Sequence, residues 1–199
     1  MSSAPQPAPL QPPRPRQALQ ERVAAAILEA AARVLAVGGE QASMNDVAAA
    51  AGVARATLYR YFPSRQALLD ELARVAADEA GERLASARVE ELAAEEGVRR
   101  AVRALIEVGD PFTVVARERV RPDPEQFERQ VLQPLRRLFK RAQGSGEIRA
   151  DIPSSWLTDA LVGLVVSVLS SRPLLLGRED TIAVVSALFL DGARPRPVS

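Results

Sequence analysis

Residues 43–69 read SMNDVAAAAGVARATLYRYFPSRQALL, and the punctuation of this stretch decides the fold. Ser43, with Asp46 three residues on, is a variant of the capping box that marks a helix start. Met44, Val47, Ala48 and Ala51 then form one buried face, and Gly52 ends the helix after about two turns. A second short helix must fit between Val53 and Phe62, because Pro63 cannot continue it. Ser64 caps a longer helix, the fourth of the chain, with the stripe Leu68, Leu72 and Val75, running on to about Arg88. Two short helices joined through a glycine turn have the layout of a helix-turn-helix, whose second helix enters the major groove of DNA.

The second of these helices holds three aromatic rings within four positions, Tyr59, Tyr61 and Phe62, in a chain with only 4% aromatic residues. Leu58 and Phe62 lie four apart and pair on one side, so they seat the helix on its neighbours. The opposite face carries Arg55, Ala56, Tyr59 and Arg60, with Thr57 and Tyr61 at its flanks. Arginine and tyrosine hydroxyl groups reach phosphate oxygens, and arginine also grips guanine bidentately. Ala56 is small enough to let the helix lie close to the bases. Taken alone, so short a window is equally a solvated face with half-buried tyrosines; the flanking segments favour DNA.

Working outward, residues 17–37 form the first helix, with an apolar stripe of Val23, Ile27, Ala30, Val34 and Val37 and a stop at Gly38. Beyond the fourth helix, helical segments are expected near 91–108, 112–120 and 123–142. Asp110-Pro111 and Asp123-Pro124 each read as a cap followed by proline in the first turn, and Pro134 should kink the third segment. GSGE at 144–147 is a loop, and two more helices follow at about 154–171, with Ser154 as its cap, and 178–191. No stretch alternates with period two, so the fold class is all-α: an N-terminal three-helix unit, a long fourth helix, and a C-terminal helical domain.

Residues 1–16 contain six prolines and read as a polyproline-like tail rather than a signal peptide. The longest apolar stretch, 161–169, falls well short of the ~20 residues that span a membrane, so no membrane contact and a cytoplasmic location are expected. The 199 residues contain neither Cys nor His. That removes thiolate and imidazole metal sites and the commonest general base. Adjacent acidic pairs such as Asp78–Glu79 point to different helix faces, so no catalytic residue, metal ligand or cofactor is assigned. Net charge is +1, yet residues 1–66 hold seven arginines against four acidic residues. The excess lies where a polyanion would bind.

Residues 21–72 resemble the DNA-binding domain of the tetracycline-repressor (TetR) family, through ILEAAARVL, the Ser43 helix start, VAAAAGV, ATLYRYF and SRQALL. The rest of the chain is similar only in being helical, in GEIR after a long helix, and in the closing FLDG. The resemblance implies that Ser43 contacts backbone phosphate and that Arg55, Ala56 and Thr57 face the bases. It implies phosphate contacts for Tyr59, Tyr61 and Arg65, the last where the family usually has Lys. Arg55 is then the first candidate base reader, with Arg60 the alternative. Ala54 departs from the common Ser and leaves the third helix without a side-chain cap, at about 0.5–2 kcal/mol.

These readings divide the chain into a tail at 1–16, a DNA-binding domain at 17–77 and a regulatory and dimerisation domain at 78–199. The helices at 154–171 and 178–191 are apolar around much of their circumference, more than one core face requires. By the resemblance they pair with a second subunit; a helix pair buried inside one monomer is the alternative. The expected partners are a palindromic double-stranded DNA operator, a second copy of the chain and a small-molecule effector. Phe112, Phe127, Phe139 and Trp156 are candidates to line an effector cavity, with Glu107, Asp110 and Arg117 to orient a polar ligand; ordinary core and solvated surface are the alternatives. The function expected is a dimeric DNA-binding transcriptional regulator, a repressor released by its effector. The alternative is a helical adaptor without regulated DNA binding, distinguishable by the salt dependence of DNA affinity.

Overall fold

The computed structural model describes residues 15–171 and 177–195, and the described residues contain helices and connections only. In chain order the helices are α1 (Pro15–Gly38), α2 (Met44–Ala50), α3 (Arg55–Tyr61), α4 (Arg65–Ser86), α5 (Ala94–Glu107), α6 (Asp110–Arg117), α7 (Pro124–Phe127), α8 (Gln133–Gly144), α9 (Ser154–Ser170) and α10 (Arg178–Ala193). The proline-rich stretch read as a tail lies outside the described residues up to residue 14, and α1 begins at its Pro15.

Two apolar cores share the long α4. The first gathers Ile27, Ala31 and Leu35 of α1, Val47 and Ala48 of α2, Leu58 and Phe62 from α3 and its end, and Leu68, Leu69 and Leu72 of α4. The second takes over from Ala73 and holds Ala76, Ala80 and Leu84 of α4 with residues of α5, α6, α8, α9 and α10. There Phe139 of α8 and Phe189 of α10 stack with ring centroids 5.3 Å apart. Helix α6 belongs to both cores: Val114 is buried in the first, Phe112 and Val115 in the second.

Several local expectations shift. Val37 is 75% exposed, not part of the buried stripe. The face of α1 that packs runs through Ile27, Ala31, Leu35 and Ala36, because small alanines pack as closely as the larger residues the stripe was built on. The left-handed turn after α1 falls on Gly39 (φ 57°). Gly38 continues the helix and leaves room instead, since a Cβ there would lie 2.7 Å from that of Ala42. Gly109 is the N-cap of α6 and Asp110 its first residue, and Ser154 opens α9 without capping it. Asp123 does cap α7, accepting from the Gln126 N–H at 2.7 Å. Pro134 is accommodated by a π-helical turn, Glu128–Leu132, in which the Gln133 N–H reaches Glu128. The wider turn absorbs the missing donor and the ring of the proline.

Candidate nucleic-acid interface

Each end of α2 is closed by local chemistry. Ser43 Oγ accepts from the Asp46 N–H, and the Asp46 carboxylate accepts from the Ser43 N–H at 2.8 Å and its hydroxyl at 2.7 Å. These bonds hold the Asp46 carboxyl below its ordinary range, the Ser43 hydroxyl first among the causes. At the other end Gly52 adopts φ 66°. Its N–H donates to Ala49 and that of Val53 to Ala48, at 3.1 and 3.0 Å. This is the paired closure of a Schellman motif, which needs a left-handed residue that glycine supplies without strain.

Ala54 then opens α3 with extended backbone and no side-chain cap. Leu58 is fully buried and Phe62 is 7% exposed, as the pairing of these two residues requires. Arg55, Ala56 and Arg60 are exposed, while Thr57, Tyr59 and Tyr61 are half-buried. The Arg55 guanidinium lies over the Tyr59 ring, and that of Arg60 over the Tyr61 ring, each 5.4 Å from the ring centroid. Each stack fixes a cation on a rigid aromatic platform and leaves its N–H fork available in plane. Tyr61 also packs its ring against the first core, so it seats the helix as well as flanking it.

Ser43 is exposed at the start of α2, its hydroxyl engaged in the capping box. Arg65 is committed elsewhere. Its guanidinium donates to the carbonyls of Ala42 at 2.5 Å and Gly39 at 3.1 Å, and to the Glu118 carboxylate at 3.1 Å. The sequence gives no sign of this, because the partners lie 23, 26 and 53 residues away. Arg117 reaches as far: it donates to the Ala36 carbonyl, 81 residues away, at 2.6 Å. Among the described residues no group of three acidic side chains is placed to hold a metal ion, and no helix is long and apolar enough to cross a membrane.

This geometry agrees with the relatives of the chain. The pattern of the family described as bacterial regulatory proteins, tetR family, matches residues 27–72. The HTH-type transcriptional repressor LfrR of Mycolicibacterium smegmatis is 53% identical over 55 residues, a match that spans 28% of this chain and 29% of that protein. Over the whole fold, the structure is similar to that of the TetR-like transcriptional regulator LfrR from Mycobacterium smegmatis in complex with proflavine. The TM-score is 0.71 at 26% identity, covering 89% of this chain and 99% of that one. It shares the fold of AibR, solved with isovaleryl coenzyme A and operator DNA, at a TM-score of 0.65 and 24% identity, covering 84% of this chain and 98% of that one. Sequence match in the helix-turn-helix and likeness of the whole fold converge: residues 27–72 match the tetR family of bacterial regulatory proteins, and the fold is similar to that of a TetR-like transcriptional regulator.

Proposed function

We propose that this protein is a dimeric, sequence-specific transcriptional repressor of the cytoplasm, released from its operator by a small-molecule effector. The observation that carries the reading is the outward face of α3, where two arginine–tyrosine stacks flank the small, exposed Ala56. In this reading residues 17–77 bind DNA and 78–199 regulate and dimerise. Arg55, Ala56 and Thr57 meet base edges, with Arg60 the second candidate for a base contact. Ser43, Tyr59 and Tyr61 meet phosphates.

A dimer through α9 and α10 is supported by their apolar exposure: Trp156 is 70% exposed, Leu188 63%, and Val184 is also open. Gly163, on the outward side of α9, has nothing near the position of a Cβ. Glycine there costs about 1 kcal/mol of helix stability with no return inside one subunit; a partner helix packed closely against it supplies a reason. Trp156 thus leaves the set of cavity candidates. Phe112 and Phe139 are buried core residues and Phe127 packs against the same core. An effector site within the second domain draws support from the proflavine complex of the LfrR regulator.

The test is DNA binding to fragments selected from genomic DNA, followed over a salt series. The wild type should lose affinity steeply, with a log–log slope of roughly −0.9 per phosphate neutralised. Arg55→Ala should flatten base preference at particular positions by about 1–3 kcal/mol, whereas Tyr59→Phe should weaken all sequences alike. Absence of binding to every fragment at low salt would leave the adaptor reading in its place.

A further inference from the structure

We propose that Glu118, outside the helix-turn-helix, is a positioning residue for DNA binding that acts through Arg65; the proposal rests on the DNA-binding reading above. Arg65 occupies the first position of α4, where the helix dipole disfavours a cation, and its side chain is only 30% exposed. A guanidinium so placed needs compensation, and its three acceptors supply it. Two are carbonyls of the connection between α1 and α2, and the third is the Glu118 carboxylate, whose side chain is 10% exposed.

The Ala42 contact matters because the next residue is Ser43. The peptide unit joining them is held at both ends: its carbonyl accepts from Arg65 and its N–H donates to Asp46. The start of α2 is therefore fixed by Asp46 from within the helix and by Arg65 from outside it. Glu118 in turn is fixed by how α6 ends. Arg119 takes a left-handed conformation (φ 52°), and the Val120 N–H returns to the Val115 carbonyl at 3.1 Å. That closure usually uses glycine; an arginine held there is strained and persists because the surroundings dictate it. Arg117, one residue before Glu118, grips the Ala36 carbonyl at the end of α1. Consecutive residues at the end of α6, its last residue Arg117 and its C-cap Glu118, thus hold both sides of the α1–α2 connection, one directly and one through Arg65. A shift of α6 reaches Ser43 through bonds rather than through bulk motion of α4 alone.

The experiment uses the full-length protein and the genomic fragment that the wild type binds most tightly. Affinity is measured over a salt series for Glu118→Gln, Arg65→Ala, Arg65→Lys and the Glu118→Gln/Arg65→Ala double variant, with amide exchange of the free proteins at residues 43–47. We expect Glu118→Gln and Arg65→Ala each to weaken binding about tenfold with the salt slope unchanged. The double variant should be no weaker than the worse single one. Arg65→Lys should not restore binding, because an ammonium cannot span three acceptors. Exchange at Asp46 and Val47 should quicken in Glu118→Gln. The proposal is overturned if Glu118→Gln binds as tightly as wild type or more tightly. It is equally overturned if Arg65→Ala lowers the slope by about one phosphate per subunit while Arg65→Lys restores it. Failure of the wild type to bind any fragment would sink the DNA-binding reading itself, and the exchange arm would still judge the Glu118–Arg65 link.

Discussion

Two carboxylates that each hold a helix start show how differently the halves of this molecule are built. Asp46 closes α2 with Ser43, three residues away. Glu147 accepts from the Ala94 N–H at the start of α5, 53 residues away, at 2.6 Å, and from the Ser145 hydroxyl at 2.6 Å. The glycines divide the same way. Gly52 is needed for its dihedral angle, whereas Gly97 is needed for space: a Cβ there would lie 2.6 Å from Leu138 Cδ1 and 3.2 Å from the Val89 carbonyl. The start of α2 is closed from within a few residues, with Arg65 adding a hold from outside, whereas the start of α5 is held across the fold. A surface that must present side chains at fixed positions benefits from local control.

The largest expected effects test whether both halves nevertheless have full cores. Phe139→Ala should cost about 3–5 kcal/mol and Leu58→Ala about 2–5 kcal/mol in urea unfolding, since both side chains are fully buried. The glycines sharpen the contrast. Gly97→Ala should cost about 1–3 kcal/mol by overpacking, and Gly52→Ala about 1–2 kcal/mol by backbone strain alone. Crystal structures of the two variants would show displaced neighbours at Leu138 only in the first. Removing the caps should matter less. Ser43→Ala should cost about 1 kcal/mol and quicken exchange only at the start of α2, whereas Glu147→Gln should loosen both the loop after α8 and the start of α5.

Acid adds a sign to that comparison. Both carboxyls sit below their ordinary range: Asp46 chiefly through the Ser43 hydroxyl, Glu147 chiefly through the Ser145 hydroxyl and then the Ala94 N–H. A lowered folded pKa gives stability that is complete above the unfolded value and drains as pH falls through the folded one. Thermal midpoints should therefore drop as pH is taken from neutral to below 4, and less so in each variant lacking the cap. The smallest effect is a gain: Ala54→Ser should stabilise α3 by about 0.5–1 kcal/mol, because the backbone at Ala54 already has the extended geometry of a cap.

The same division explains what could be read from the residues alone. The capping box at Ser43, the Gly52 turn and the Leu58–Phe62 pair are local patterns, and each carries its physical signal within a window of a few residues. Val37 is exposed while Ala31 and Ala36 are buried, so the hydrophobicity of single side chains does not mark the packed face of α1. The roles of Glu147, Glu118, Arg65 and Arg117 rest on partners tens of residues away, so no spacing rule reports them. Trp156 was open to either reading, since an aromatic residue on an apolar helix suits a core, a cavity or an interface equally.

Val114 has a consequence for how the chain can be cut. It is fully buried in the first core, among residues that otherwise come from α1 to α4, yet the sequence delivers it after α5. A protease that nicked the connection following α4 would separate the segment carrying α1–α4 from Val114, leaving a void in the first core where that side chain sits. Such a fragment begins short of a core contact. Cleavage would thus destabilise the α1–α4 unit rather than leave it intact.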